Sequence, residues 1–99
     1  MAMKNLIAII SPEMVDLVEE KLRHLDLPGL SVSRTKGYGA YKNFYQRDLM
    51  TTHARLQLFL EEERVAEVVA TIREVMGPAA RDGGILSVSP VEQFYHLSG

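Results

Sequence analysis

The stretch Pro28-Gly29-Leu30-Ser31-Val32-Ser33-Arg34-Thr35-Lys36-Gly37-Tyr38-Gly39 changes periodicity part-way through, and its reading decides the fold. Pro28-Gly29 breaks whatever precedes it. From Leu30 the side chains alternate, with Leu30 and Val32 on one face and Ser31, Ser33 and Thr35 on the other. That pattern predicts a strand with one covered face. The strand runs into Gly37 and Gly39, which flank Tyr38. Such glycines serve either a strand end that needs positive φ or a close approach of ligand to backbone, and these residues alone leave both readings open.

Upstream, Leu6-Ile7-Ala8-Ile9-Ile10 is a continuous apolar run rich in β-branched residues. It predicts a central strand buried on both faces. Ser11-Pro12-Glu13 then supplies an N-cap, a proline at the first helical position and an acid near the positive end of the helix dipole. Met14, Val18, Leu22 and Leu25 form one apolar stripe, and the helix should stop at Pro28-Gly29. Downstream, a polar and aromatic stretch over residues 40–53 separates the second strand from a third. There Ala54, Leu56, Leu58 and Leu60 alternate with Arg55, Gln57 and Phe59. Glu61-Glu62-Glu63 opens a second helix with Val65, Val68, Val69, Ile72 and Met76 on its buried face, and Gly77-Pro78 ends it. Ile85-Leu86-Ser87-Val88 reads as a fourth strand, and residues 91–97 as a short fifth.

This order predicts an α+β fold, a ferredoxin-like βαββαβ domain over residues 1–99, with residues 40–53 as a long hairpin loop. Helices then cover only one sheet face. The other carries Phe59 and further apolar groups, so packing several copies together is the natural remedy.

Composition narrows the function. The chain is 46% hydrophobic, enough for a packed core, and has no cysteine for disulfides, zinc ribbons or thiol nucleophiles. A formal charge of −2, from 11 basic and 13 acidic residues, gives no electrostatic reason to expect nucleic-acid binding. The five-residue apolar run near the amino terminus is too short for a signal h-region or a membrane span, which makes the cytoplasm the expected location. His24, His53 and His96 form no H-x-x-H or H-E-x-x-H pattern, so no metal site is expected. No nucleophile has a neighbouring base, so no catalysis is expected either.

The stretch around Lys36-Gly37-Tyr38-Gly39 resembles the PII signal-transduction family, which carries G-M-T-V-T-x-V-K-G-F-G there. Ile9-Ile10-Ser11-Pro12 is similar to that family's I-I-K-P, and Ser89-Pro90-Val91-Glu92 to its S-P-V-E. The resemblance implies a homotrimeric, PII-like sensor in nitrogen regulation, with adenine nucleotides as effectors in clefts between subunits. By position it assigns ligand binding to Ile9, Ser31, Gly37, Tyr38 and Gly39 on one wall and to Asp82, Gly83 and Gly84 on another. His96 stands where the family's closing R-I-R begins, followed by Leu97-Ser98. Ala40 and Gly84-Ile85 likewise replace cations that would pair with phosphate. AMP or ADP is therefore expected to bind at least as well as ATP.

Residues 40–53 occupy the place of the family's T-loop, shortened. The resemblance makes Tyr41, Lys42, Phe44, Tyr45 and Arg47 contacts for a regulated partner, a membrane transporter or a cytoplasmic enzyme. Tyr41 and Tyr45 are modification candidates by position alone.

Two other readings compete. One is a CutA-like trimer, or a PII-like protein that binds a metal, bicarbonate or another small anion instead of nucleotide. The other is an RNA-recognition motif, whose K-G-F-G-F-V is similar to Lys36-Gly37-Tyr38-Gly39-Ala40-Tyr41. Against the second, Ala40 replaces a stacking aromatic, Ile7-Ala8-Ile9 supplies none, and the net charge is acidic.

Overall fold

A computed structural model describes residues 2–37, 51–77 and 84–98. In chain order the elements are β1 (Met3–Ile10), a 3-10 turn (Pro12–Met14), α1 (Val15–Arg23), β2 (Ser31–Gly37), β3 (Thr51–Glu61), α2 (Glu62–Met76) and β4 (Ile85–Val91). The strands form one sheet in the order β2-β3-β1-β4, with every neighbouring pair antiparallel. Each helix carries the chain past one strand before it re-enters the sheet. This is the split βαβ arrangement of the ferredoxin-like fold, as the sequence predicts.

Register sorts the side chains into two faces. Leu6, Ala8 and Ile10 of β1 stand opposite Leu58, Leu56 and Ala54 of β3, and all six are buried. Against them pack Val18 and Leu22 of α1 and Val68, Ile72 and Met76 of α2, with Met14, Leu25, Val65 and Val69 partly buried around the core. These are the residues that helical and strand periodicity picks out. The opposite face carries Ile7 and Ile9, which are only half-buried. The expectation that β1 is buried on both faces is therefore not met within one chain. A continuous apolar run does not reveal which of its two faces the helices cover.

Other expectations are corrected locally. Ser11 stands at the cap in extended conformation without a side-chain capping bond. The Met14 N–H instead bonds the Ser11 carbonyl at 3.1 Å, so Pro12–Met14 forms a 3-10 turn before α1 begins. The helix also ends at Arg23, before Pro28-Gly29, through tight-turn bonds from Leu25 to Leu22 and Asp26 to Arg23. Asp26, at φ 54°, turns the chain away, a conformation that aspartate tolerates better than most residues. Val32 lies on the helix side of the sheet, opposite Leu56, yet remains 43% exposed because β2 is an edge strand. β4 extends to Val91 and includes Pro90, which an edge position allows. No fifth strand follows: residues 92–98 are irregular, and Phe94 turns back onto β3.

The β3–α2 junction is fastened to the start of the chain. The Glu62 N–H, one of the helix's orphan donors, bonds the Ala2 carbonyl at 2.9 Å, and Lys4 Nζ lies 3.3 Å from the Glu62 carboxylate. The Arg64 guanidinium donates to the Leu25 carbonyl and pairs with Glu67, which ties the first turn of α2 to the segment leaving α1. Among the described residues, no helix is long and apolar enough to cross a membrane.

Candidate functional site

β3 reaches Glu61, but β2 begins only at Ser31, opposite Gln57. On that side residues 58–61 have no strand beside them, and an open cleft of about 760 Å³ lies along their edge. Residues 28–31 form one wall; Phe94 and His96 from the tail form another. The rings make a ladder. Phe94 lies 5.6 Å from Phe59, tilted by 50°, and His96 meets Phe94 edge-on at 5.2 Å. Phe59 and Phe94 remain about two-fifths exposed, at 39% and 41%, so the ladder keeps apolar surface available to a planar group. Gln57 and Arg64 add hydrogen-bonding side chains to the lining.

Of the residues assigned to ligand binding, Ser31 and His96 share this cleft. Gly37 lies at the other end of the sheet, whereas Ile9 is level with Arg55, nearer along β3 to the row of Ser31 than to that of Gly37. Ile9 pairs with Ile85 and Arg55, and Gly84 immediately precedes Ile85. A side chain at Gly84 would begin 3.5 Å from the Ile9 carbonyl oxygen, and the backbone there has φ 154°, so a substituted residue would be strained whatever the space. Gly37 pairs with Thr51 at the far end of β2. Six residues of extended chain separate it from Ser31, about 20 Å at strand rise. The assigned residues that the structure describes therefore do not converge on one place within a single chain. Tyr38, Gly39, Asp82 and Gly83, and the partner-contact residues Tyr41, Lys42, Phe44, Tyr45 and Arg47, lie outside the described residues.

Sequence reasoning missed Gln57, Phe59 and Phe94 as members of the cleft, and it missed a polar chain on the open sheet face. Arg55 Nη1 donates to Gln57 Oε1 at 3.1 Å, and Gln57 Nε2 donates to Asn5 Oδ1 at 3.0 Å. The available signal was the pair of long polar residues, Arg55 and Gln57, alternating with buried leucines. The three histidines occupy different settings: His53 is buried opposite Thr35, whereas His24 and His96 are exposed. Among the described residues, no group of three or more potential metal-ligating side chains comes together.

Comparison with known proteins adds a second line of argument. The family model for nitrogen regulatory protein P-II matches residues 3–98. Nitrogen regulatory protein GlnK1 of Methanosarcina mazei is 41% identical over 108 aligned positions, which cover 97% of this chain and 90% of the relative. Nitrogen regulatory protein P-II of Rhizobium meliloti is 29% identical over 96% of this chain and 91% of its own length. Among solved structures, a DUF3240-family protein from Shewanella baltica superposes with a TM-score of 0.79 over 97% of both chains. At 16% identity that last likeness concerns the fold alone.

Proposed function

The chain belongs to the nitrogen regulatory protein P-II family, and from that premise we propose that it senses a small effector in clefts between the subunits of a homotrimer and regulates a partner protein. The effector is an adenine nucleotide, with AMP or ADP favoured, or a small anion. The role is regulatory rather than catalytic.

The observation that carries this reading is the separation of the assigned residues. Ser31 and His96 line a cleft beside an aromatic ladder, while Gly37 lies about 20 Å away at the far end of the same strand. A second copy that brings its Gly37 end to this cleft completes a site that one copy leaves divided. Half-buried Ile7 and Ile9, with the exposed ring of Phe59, give the open sheet face a reason to associate.

In this reading the ligand wall leads directly into the partner-contact segment. β2 ends at Gly37 and β3 resumes at Thr51, so residues 38–50 depart from the backbone assigned to the ligand wall. The regulated partner, a transporter or an enzyme, then reads the segment.

Light scattering at micromolar concentration, followed by calorimetric titration with adenine nucleotides and small anions, tests the proposal. The expected result is the mass of three chains and saturable binding. The mass of one chain contradicts the assembly, and no binding by any of these ligands contradicts the sensing role.

A further inference from the structure

We propose that Arg55 reads the negative charge of the effector, binding a single phosphate or carboxylate group beside Ile9; this rests on the ligand reading above and assigns its charge specificity to a residue of the open sheet face.

Arg55 occupies the centre of that face. In register it stands between Ile9 of β1 and Ser33 of β2, and so lies against a residue assigned to the ligand wall. The other cations of the neighbouring strand are placed elsewhere: Arg34 pairs with Ala54 and Lys36 with Thr52, positions that belong to the helix side. Among the described residues, Arg55 is the one lysine or arginine that the strands place on the open face.

Its guanidinium is held and, among the described residues, has no carboxylate partner. Arginine only donates, so the Gln57 amide turns its oxygen toward Arg55 and donates its N–H to Asn5, which fixes the order of the chain. Bonds in such a chain polarise one another. The described ion pairs are Lys4 with Glu62, Arg23 with Glu19 and Arg64 with Glu67, none of which neutralises Arg55. A partly buried guanidinium with no carboxylate partner among the described residues is a ready partner for an incoming anion. The planar fork of remaining N–H groups matches a carboxylate or a phosphate in two-point contact. The acid that the strands place on the same face, Glu61, sits six residues along β3, about 20 Å away at strand rise.

The test is calorimetric titration of wild type, Arg55→Gln and Arg55→Lys with adenosine, AMP and inorganic phosphate, alongside light scattering and thermal unfolding of each protein. Arg55→Gln should weaken AMP binding by roughly ten- to hundred-fold, the worth of a charged hydrogen bond, with adenosine binding unchanged. Arg55→Lys, which keeps the charge but loses the fork, should retain part of that affinity. Equal AMP affinity in wild type and Arg55→Gln overturns the inference and leaves the nucleotide reading standing. A fall of Arg55→Gln to single-chain mass, with adenosine lost as well, overturns it by making Arg55 an assembly residue. If wild type binds neither adenosine nor AMP, the nucleotide reading fails. Phosphate then decides: binding that Arg55→Gln abolishes upholds the anion site, and no binding overturns it.

Discussion

The ring of Phe94 rests against the ring of Phe59 with centroids 5.6 Å apart, which joins the irregular tail after β4 to the end of β3 and closes one side of the cleft. His96 reaches the cleft wall as the next rung of that contact. The position of His96 thus depends on a packing interaction made two residues earlier.

Phe94→Ala should therefore lower stability by about 1 kcal/mol through the lost ring pair alone, and should weaken any ligand that uses His96. Urea unfolding monitored by circular dichroism measures the first effect. An unchanged midpoint would mean that the tail does not hold its place against β3.

The core makes a contrasting prediction. Leu56 is fully buried in the middle of β3, whereas Leu17 on α1 is 50% exposed. Leu56→Ala should cost about 2–5 kcal/mol through lost transfer energy and a residual cavity. Leu17→Ala should stay within about 0.5 kcal/mol of wild type. Comparable losses in the two variants would contradict the assignment of the sheet's faces.

The difference between those leucines was legible in the sequence, because one-sided burial prints a period of two on a strand and of 3.6 on a helix. Alternation at Ala54, Leu56, Leu58 and Leu60 identified the core face of β3 directly. The cleft was not legible. It exists because β2 starts at Ser31 while β3 runs on to Glu61, an offset between strands that neither strand records by itself. The tail misled in the opposite direction: residues 91–97 read as a short fifth strand, whereas the segment is irregular and Phe94 packs on Phe59. The Arg55–Gln57–Asn5 chain joins residues 52 positions apart, so only register brings its members together.

Gly84 stands where the family resemblance would place a phosphate-pairing lysine, and its φ of 154° favours glycine. Gly84→Lys should not restore a triphosphate site. The backbone strain should instead destabilise the protein by about 1–3 kcal/mol, read as a lower thermal midpoint. A variant of undiminished stability with stronger ATP binding would show that the loop accepts the side chain.

Among nucleotides, ATP should gain nothing over ADP or AMP. Each further phosphate must lose water, which is favourable only where cations or donors replace it, and Ala40, Gly84 and Ser98 offer no cationic side chain. Calorimetry with and without magnesium makes the comparison. ATP bound about ten-fold more tightly than ADP, roughly 1.4 kcal/mol, would contradict this account of the pocket.

The central claim is that two copies each contribute half of the ligand site, and complementation between two inactive variants tests it most directly. Gly37→Val blocks one half-site and Ser31→Trp the other, so neither variant alone should bind AMP or ADP. Co-expressed in equal amounts, they should recover binding at about a quarter of the sites, where random assembly sets an intact Gly37 end against an intact cleft. Wild-type binding with no recovery in the mixed assemblies would contradict the claim and place the whole site within one chain.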